Sequence, residues 1–124
     1  MKKILLFTAL LLSTTGFKSF AETYNFKAYE VSYSSKSGNT WGEWGNWESC
    51  NIKITVTSEE IYIYSANTQH FNVIQEKEKK DTEATYYCKD AQGEDCWIVF
   101  TWGSNKKQIF VEYLDRMWAY NIMN

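Results

Sequence analysis

The stretch that decides the fold is residues 96–124, which read CWIVFTWGSNKKQIFVEYLDRMWAYNIMN. It contains three runs rich in aromatic and β-branched residues, separated by short polar breaks, and this pattern is typical of consecutive antiparallel strands. Within a run the side chains alternate, so that Ile98 and Phe100 share one face of a sheet while Trp97 and Val99 share the other. The first break, GSN, favours a turn because glycine and asparagine tolerate positive φ angles. We expect the rest of the chain to pack against this sheet.

Upstream of this stretch, five further segments show strand-like alternation. They are residues 24–34, 51–57, 61–65, 70–78 and 82–89. Short polar or charged links join them, and no long segment has the 3.6-residue period of a helix. About eight antiparallel strands with short links predict a meander, which either closes into a small barrel or folds into two packed sheets. We expect an all-β fold, with a barrel preferred over a sandwich, because the chain has no proline to protect edge strands and closure removes the edges.

The N-terminal segment is predicted to be a signal peptide over residues 1–21, followed by a single β domain over 22–124. A basic start precedes a short apolar run over residues 4–12, and Ser19 and Ala21 supply the small residues that flank a cleavage site. The apolar run is too short to span a bilayer. We therefore expect a periplasmic or extracellular protein with no membrane span in the mature chain.

The charge balance argues against a nucleic-acid partner. The whole chain has 13 basic and 15 acidic residues and a net charge of −2. Loss of the three lysines in the signal peptide leaves 10 basic residues and a net charge of −5. An acidic chain without a basic patch repels a polyphosphate backbone. We expect no nucleic-acid partner, and a monomer or a weak dimer.

Three cysteines in an exported chain favour one disulfide and one remaining thiol. Cys88 and Cys96 are the best pair, because each ends a strand-like run and only seven residues connect them. Such a bridge would contribute about 2–3 kcal/mol in the chain-entropy description. Cys50 would then be free, buried or used between molecules, and its pairing with Cys88 or Cys96 stays open as an alternative.

The most unusual segment is residues 41–50, WGEWGNWESC. Its three tryptophans at a spacing of three, followed by Cys50, resemble the start of thrombospondin type 1 repeats over ten residues. Those repeats also need more cysteines and a ladder of arginines, whereas this chain has three cysteines and one arginine, Arg116. No function is carried over from this resemblance.

Trp41, Trp44 and Trp47 are the candidate ligand-binding residues. Large amphipathic rings form platforms that stack on sugars or anchor protein interfaces. Alternatively, the three rings fold inward and plug one end of the barrel, because large apolar side chains are rarely left exposed together. Tyr62 and Tyr64 alternate outward from a core strand, where they extend this face or form an ordinary cross-strand aromatic ladder.

No metal site is indicated by the sequence. Asp90, Glu94 and Asp95 form an acidic loop of the kind that hard cations favour, but their spacing matches no EF-hand, and solvated charge at a hairpin tip is the usual explanation. His70 is the only histidine, and no His/Cys cluster indicates zinc.

Catalysis is also disfavoured. Glu30 and Glu112 lie within predicted strands and are the only carboxylates that qualify as candidates for glycosidase chemistry, although surface carboxylates are the more common explanation. The sequence contains no G-x-S-x-G motif and no phosphate-binding glycine loop. We expect a protein that is not an enzyme and that has no cofactor.

Several features together resemble small exported proteins of gut-type Gram-negative bacteria. These are the signal peptide, WGEWGNWESC, ITVTSEEIYIYS, the Cys-loop-Cys hairpin and the terminal MWAYNIM. The resemblance covers most of residues 22–124 and implies export and a compact domain, but no activity.

The favoured function is a non-catalytic binding module whose aromatic face meets a glycan or a protein. One alternative is a carrier that holds a small apolar molecule inside the barrel. Another is an inhibitor of a secreted enzyme, in which the loop 89–95 enters an active site. A hydrolase is the least favoured class, because no catalytic constellation is present.

Overall fold

The computed structural model describes residues 23–37, 40–103 and 106–123. The predicted signal peptide and part of the GSN turn lie outside these described residues. These described residues contain nine strands: β1 Tyr24–Ser37, β2 Thr40–Trp41, β3 Glu48–Val56, β4 Glu60–Ile63, β5 Gln69–Lys80, β6 Glu83–Asp90, β7 Asp95–Thr101, β8 Lys107–Glu112 and β9 Arg116–Met123. Across the described ranges, no helix is long and apolar enough to cross a membrane.

Eight of the strands form a closed barrel. Strands β3 to β9 pair antiparallel with their sequence neighbours, and β1 pairs with β3 on one side and with β9 on the other. The short strand β2 lies outside the barrel and pairs with the end of β1. The prediction of an all-β antiparallel meander that closes into a barrel is confirmed. The loop predicted after residue 34 is partly strand, because β1 continues to Ser37.

The barrel interior is filled by alternating side chains from all eight strands. Its largest fully buried members are Ile54, Ile61, Ile63, Phe71, Ile98, Phe100, Ile109 and Val111. An eight-stranded barrel is just wide enough for side chains to fill. Each fully buried side chain of this size contributes roughly 1.5–3 kcal/mol relative to an exposed position.

A β-bulge in β1 decides which of its residues face outward. The register shifts between Ala28 and Glu30, so that Ala28 points into the barrel whereas Glu30, two residues later, does not. Without a bulge, residues two apart would share a face. After this point, Ser32 and Ser34 of β1 lie on the outer wall.

The three cysteines are free thiols, and the disulfide predicted between Cys88 and Cys96 is not formed in this structure. The two residues are direct cross-strand partners in β6 and β7, and both are fully buried in the barrel core. A buried thiol packs as a small apolar side chain. Cys50 is half-buried, and its thiol donates to the carbonyl of Ala28 at 3.5 Å.

Candidate functional site

The tryptophan-rich segment runs along the outer part of β1 and continues into β3. The N–H of Gly42 donates to the carbonyl of Ser35 at 2.8 Å, and the N–H of Gly45 donates to the carbonyl of Tyr33 at 2.9 Å. A Cβ at Gly42 would lie 3.1 Å from that carbonyl, which is a tight contact for any larger residue. The backbone of residues 42–47 is therefore fixed to the barrel although it is not a regular strand.

Two serine hydroxyls attach the same segment from below. The Ser32 hydroxyl donates to the carbonyl of Gly45 at 2.8 Å, and the Ser34 hydroxyl donates to the carbonyl of Gly42 at 3.0 Å. Both serines are buried although they lie on the outer wall. Buried polar groups need such partners. The same two hydrogen bonds therefore satisfy the buried serine hydroxyls and hold residues 42–45 against the barrel.

Trp44 extends across the outer wall from this anchor. Ser32, Ala119 and Phe110 are successive cross-strand partners on β1, β9 and β8. The indole of Trp44 reaches Phe110, with ring centroids 6.3 Å apart and an interplanar angle of 56°. Ala119 is also buried, and small side chains at the first two positions leave room for the indole above them. Trp44 nevertheless keeps 43% of its surface exposed.

The other two tryptophans each have a lysine nearby. The ammonium of Lys36 lies 5.4 Å from the ring centroid of Trp41, and that of Lys106 lies 5.9 Å from the centroid of Trp47. These are cation–π distances. Trp41 is half-buried, whereas Trp47 is 40% exposed. We call Trp41, Trp44, Trp47 and Phe110 the tryptophan strip.

A polar row lies beside the strip on the same three strands. The side-chain amide of Asn121 donates to the Glu30 carboxylate at 2.7 Å and accepts from Gln108 at 2.9 Å. Asn121 is fully buried although it lies on the outer wall, next to the inward-facing Tyr120. Neighbouring outer-wall side chains therefore cover Asn121, and its hydrogen bonds offset the free-energy cost of burying a polar amide.

Tyr62 and Tyr64 belong to a separate aromatic group. Their rings stack at 5.9 Å, Tyr62 also stacks on His70 at 4.5 Å, and the ammonium of Lys53 lies 6.0 Å from the Tyr64 ring. Tyr62 lies on β4 and Tyr64 directly follows it, and β3 and β1 separate β4 from β9 and β8. The structure therefore separates the two tyrosines from the tryptophan-rich segment. The Tyr62 ring is therefore already engaged by two protein rings.

The acidic loop is engaged by protein groups. One carboxylate oxygen of Asp90 accepts the N–H groups of Gln92 and Glu94, and the other accepts the Tyr113 hydroxyl at 2.9 Å. The guanidinium of Arg116 makes two contacts with the Glu94 carboxylate, at 3.0 and 3.3 Å. Partial burial acts to raise the pKa of Asp90, but these hydrogen bonds outweigh it and hold the pKa below its ordinary value. These contacts therefore fix the loop that connects β6 to β7.

Asp95, the third acidic candidate, is also paired. Its carboxylate accepts from the Lys89 ammonium at 2.6 Å and from the Tyr87 hydroxyl at 2.7 Å. The Lys89 bond is the main reason that the pKa of Asp95 is lowered. No group of three or more candidate metal ligands occurs within the part of the chain that the structure describes.

The two strand carboxylates are not placed as a catalytic pair. Glu30 accepts from Asn121, and Glu112 pairs with Met117 further along the outer wall. Glu112 lies four positions along β8 from Gln108, which is in the row of Glu30, and four positions span about 13 Å along a strand. Retaining glycosidases hold their carboxyl groups at about 5 Å and inverting enzymes at less than about 10 Å.

A small cavity lies at one end of the filled barrel. Its lining includes Val56, Ser58, Tyr86 and Phe100, and its volume of about 10 Å³ is comparable to one water molecule. The Tyr86 hydroxyl is buried without a hydrogen-bond partner among the described residues. Burial raises the pKa of this phenol. The cavity is far smaller than the several hundred cubic ångströms of a typical ligand pocket.

Comparisons with known proteins identify no relative: no protein-family model, no curated protein and no solved structure matches this chain. Sequence reasoning found the tryptophans but missed Phe110, Ser32 and Ala119, which complete the strip and its floor. The available signal was the presence of small residues at outward strand positions, where bulky or charged side chains are usual.

Proposed function

We propose that the protein is a non-catalytic binding module that meets its ligand, a glycan or a protein, through the tryptophan strip. The observation that carries the proposal is the exposure of Trp44 and Trp47. About two fifths of each side chain faces solvent, although glycine and serine contacts fix the backbone between them. A preformed apolar platform loses little conformational entropy on binding.

The chemistry of the strip suits both ligand classes. Indole rings stack on the apolar faces of sugar rings, and they are among the side chains that contribute most to protein interfaces. Lys106 and Lys36 flank the strip and add hydrogen-bond donors at its ends. Trp44, at the centre, is the residue that we expect to contribute most.

The carrier alternative finds less support. A carrier needs an internal cavity of ligand size, whereas large side chains fill this barrel and the cavity beside Tyr86 is comparable to one water molecule. A buried apolar ligand would therefore have to displace core residues, which close-packed interiors resist.

The inhibitor alternative rests on the β6–β7 hairpin. Asp90 and the Arg116–Glu94 pair fix this hairpin, and the tip residues Ala91, Gln92 and Gly93 are exposed. A rigid exposed loop suits an inhibitor. The tip offers no large side chain as an anchor, however, so the tryptophan strip is the stronger candidate.

We also propose that the chain is exported and that export joins Cys88 to Cys96. Burial raises the pKa of both thiols, and with the nearby negative charge of Asp90 it brings the pKa of Cys96 to about 12. Because the thiolate is the reactive form, the bridge would form during folding, with a disulfide oxidant accepting the two electrons. Non-reducing mass spectrometry of periplasmic protein should show a mass lower by two hydrogens, with Cys50 alone alkylated after denaturation. Alkylation of all three cysteines would contradict this.

A binding panel with two tryptophan variants tests the main proposal. Immobilised polysaccharides and cell-surface proteins should retain the wild-type chain from Glu22 onward, and Trp44→Ala should lose that retention while it still folds. Trp97→Ala is the matched control, because Trp97 is half-buried on β7 and contacts Tyr87 rather than the strip. Equal retention of Trp44→Ala and wild type would overturn the proposal.

A further inference from the structure

Polar side chains alternate with the rings along the segment that carries the tryptophan strip. Glu43 lies between Trp41 and Trp44 in the sequence. Asn46 lies between Trp44 and Trp47. Both polar residues are exposed, and neither side chain forms a hydrogen bond or an ion pair with a described residue. The exposed surface of the segment therefore combines indole rings with hydrogen-bonding groups that no described protein group uses.

The main chain at the two glycines of this segment is already hydrogen-bonded to β1. The N–H groups of Gly42 and Gly45 donate to carbonyls of β1, and the carbonyls of both glycines accept from serine hydroxyls of β1. At these positions a ligand therefore finds its polar partners among side chains rather than in the backbone.

Two lysines supply donors at the ends of the strip. The ammonium of Lys36 lies 5.4 Å from the Trp41 ring centroid, and that of Lys106 lies 5.9 Å from the Trp47 centroid. Neither lysine forms an ion pair with a residue in the described ranges. An ammonium has three N–H donors, so each lysine can reach a ligand that lies on the neighbouring ring.

The charged residues within the strip distinguish it from the core of a protein interface. Such cores are depleted in lysine and glutamate, whereas Lys36, Glu43 and Lys106 lie among the rings. The apolar area is also small. An aromatic side chain can bury about 150–250 Å², so the exposed 43% of Trp44 and 40% of Trp47 offer on the order of 200 Å² together. A standard protein interface takes about 800 Å² from each partner.

A sugar ring suits this mixture of groups better than a protein surface does. The C–H groups on one face of the ring can stack on an indole, and the hydroxyls around its rim both donate and accept hydrogen bonds. The Glu43 carboxylate accepts from a hydroxyl, the lysines donate to one, and the Asn46 amide can do both.

The charges beside the rings balance one another. The two lysines are matched by two exposed glutamates, Glu43 and Glu48, and the whole chain has a net charge of −2. A polyanion would meet both carboxylates, and a polycation would meet both ammonium groups. Like charges brought together in a contact are unfavourable, so the balance favours an uncharged ligand.

The extended path of the segment sets the shape of the ligand. Trp41 is the cross-strand partner of Lys36, and Glu48 is the partner of Val31, so residues 41–48 run beside five residue steps of β1. Five steps of a strand span about 17 Å. Three tryptophans along this length suit a linear ligand with repeated units.

We infer, on the basis of the binding function proposed for the tryptophan strip, that its ligand is an uncharged linear glycan that contacts more than one indole. Successive sugar rings stack on Trp44 and Trp47, and Asn46, between them, bonds a sugar hydroxyl. The lysines at the two ends bond further hydroxyls.

Calorimetric titration of the chain from Glu22 onward with oligosaccharides of increasing length tests this assignment. The probes are uncharged cello-, chito- and malto-oligosaccharides from monosaccharide to hexasaccharide, with alginate oligosaccharides as the charged counterpart. In the uncharged series that binds, affinity should rise by about threefold to tenfold for each further indole contacted. It should change by less than about twofold between low and high salt, because ions screen only charged groups.

Two exposed positions separate the stacking from the hydrogen bond. Trp44→Ala should abolish oligosaccharide binding, whereas Asn46→Ala should weaken it by about threefold to tenfold, the usual effect of one hydrogen bond. Asn72→Ala, the same substitution at an exposed position of β5, is the matched control and should bind like wild type. Circular dichroism of each variant checks that the fold is retained.

The outcomes distinguish the glycan assignment from the proposed function. Trp44-dependent retention of proteins alone, or of alginate alone with a loss at high salt, would overturn the uncharged glycan and leave the tryptophan strip as the binding surface. Wild-type affinity in Asn46→Ala would contradict the hydrogen bond assigned to that residue. If no glycan and no protein is bound in a Trp44-dependent manner, both the glycan assignment and the proposed function are wrong.

Discussion

The indole of Trp44 contacts the ring of Phe110 across two intervening strands, with ring centroids 6.3 Å apart. Trp44 precedes β3, while Phe110 lies on β8, and β1 and β9 lie between them. The contact exists because the barrel closes between β1 and β9 and because Ser32 and Ala119 are small. It turns a loop of irregular backbone into a fixed surface.

Enlarging the floor beneath the indole should displace it. Ala119→Leu adds bulk at a buried outer-wall position, and overpacking of this kind costs about 1–3 kcal/mol. We expect urea denaturation to show that loss and tryptophan emission to shift to the red. Retention by the immobilised ligand that binds the wild type should also fall. Ala66→Leu, at an exposed loop position, is the control. Unchanged emission and stability in Ala119→Leu would show that Trp44 does not rest on this floor.

Asn121 should be important for stability although it contributes nothing to the apolar core. Asn121→Ala removes the donor to Glu30 and the acceptor for Gln108, leaving both without their partner. Loss of a buried hydrogen-bond partner costs about 1–3 kcal/mol. Equilibrium unfolding in urea should show a loss in this range, against a change below about 0.5 kcal/mol for the exposed Asn72→Ala. Equal losses of stability in the two variants would contradict a stabilising role for the hydrogen bonds of Asn121.

Two buried tyrosines should respond in opposite ways to loss of the hydroxyl. Tyr113 donates to Asp90 at 2.9 Å, so Tyr113→Phe should cost about 1.5 kcal/mol. The Tyr86 hydroxyl is buried without a partner among the described residues, so Tyr86→Phe should be neutral or stabilising by up to about 1 kcal/mol. Thermal melting of both variants measures the contrast. A large loss in Tyr86→Phe would mean that its hydroxyl is hydrogen-bonded in solution.

Protonation of Asp90 at low pH should destabilise the β6–β7 hairpin. Its pKa is lower in the folded protein than the ordinary value of 3.8, so the folded state favours the ionised carboxylate. The contribution to stability is complete above that value and is lost as pH falls through the lowered pKa. We expect the unfolding free energy to drop below about pH 4, and to drop less steeply in Asp90→Asn. Asp81→Asn, in the β5–β6 turn, should keep the wild-type profile.

The fold was predictable because the barrel depends on patterns that are local in sequence. The alternation of Ile98 with Phe100, and of Ile109 with Val111, marks the inward faces of β7 and β8. Short polar links then require antiparallel neighbours. Strict alternation along β5 would place Phe71, Val73 and Gln75 on one face, but the bulge at Ile74 turns Gln75 outward. A bulge depends on pairing with β6, and no local pattern announces it.

The site was only partly predictable for a related reason. A spacing of three residues between tryptophans does not match the two-residue alternation of a strand, so the sequence could not say whether Trp44 and Trp47 face inward or outward. Their position depends on Ser32 and Phe110, which lie 12 residues before and 66 residues after Trp44. The predicted Cys88–Cys96 pairing identified the right neighbours across β6 and β7, although the structure holds them as thiols.

The role of the tryptophan strip is tested most directly by iodide quenching of tryptophan emission, with and without the panel ligand that retains the protein best. We expect iodide to quench a large fraction of wild-type emission, Trp44→Phe/Trp47→Phe to lose most of this fraction, and the ligand to protect it. If the ligand binds without protecting these indoles, or if the double variant quenches like wild type, the tryptophan strip is not the binding surface.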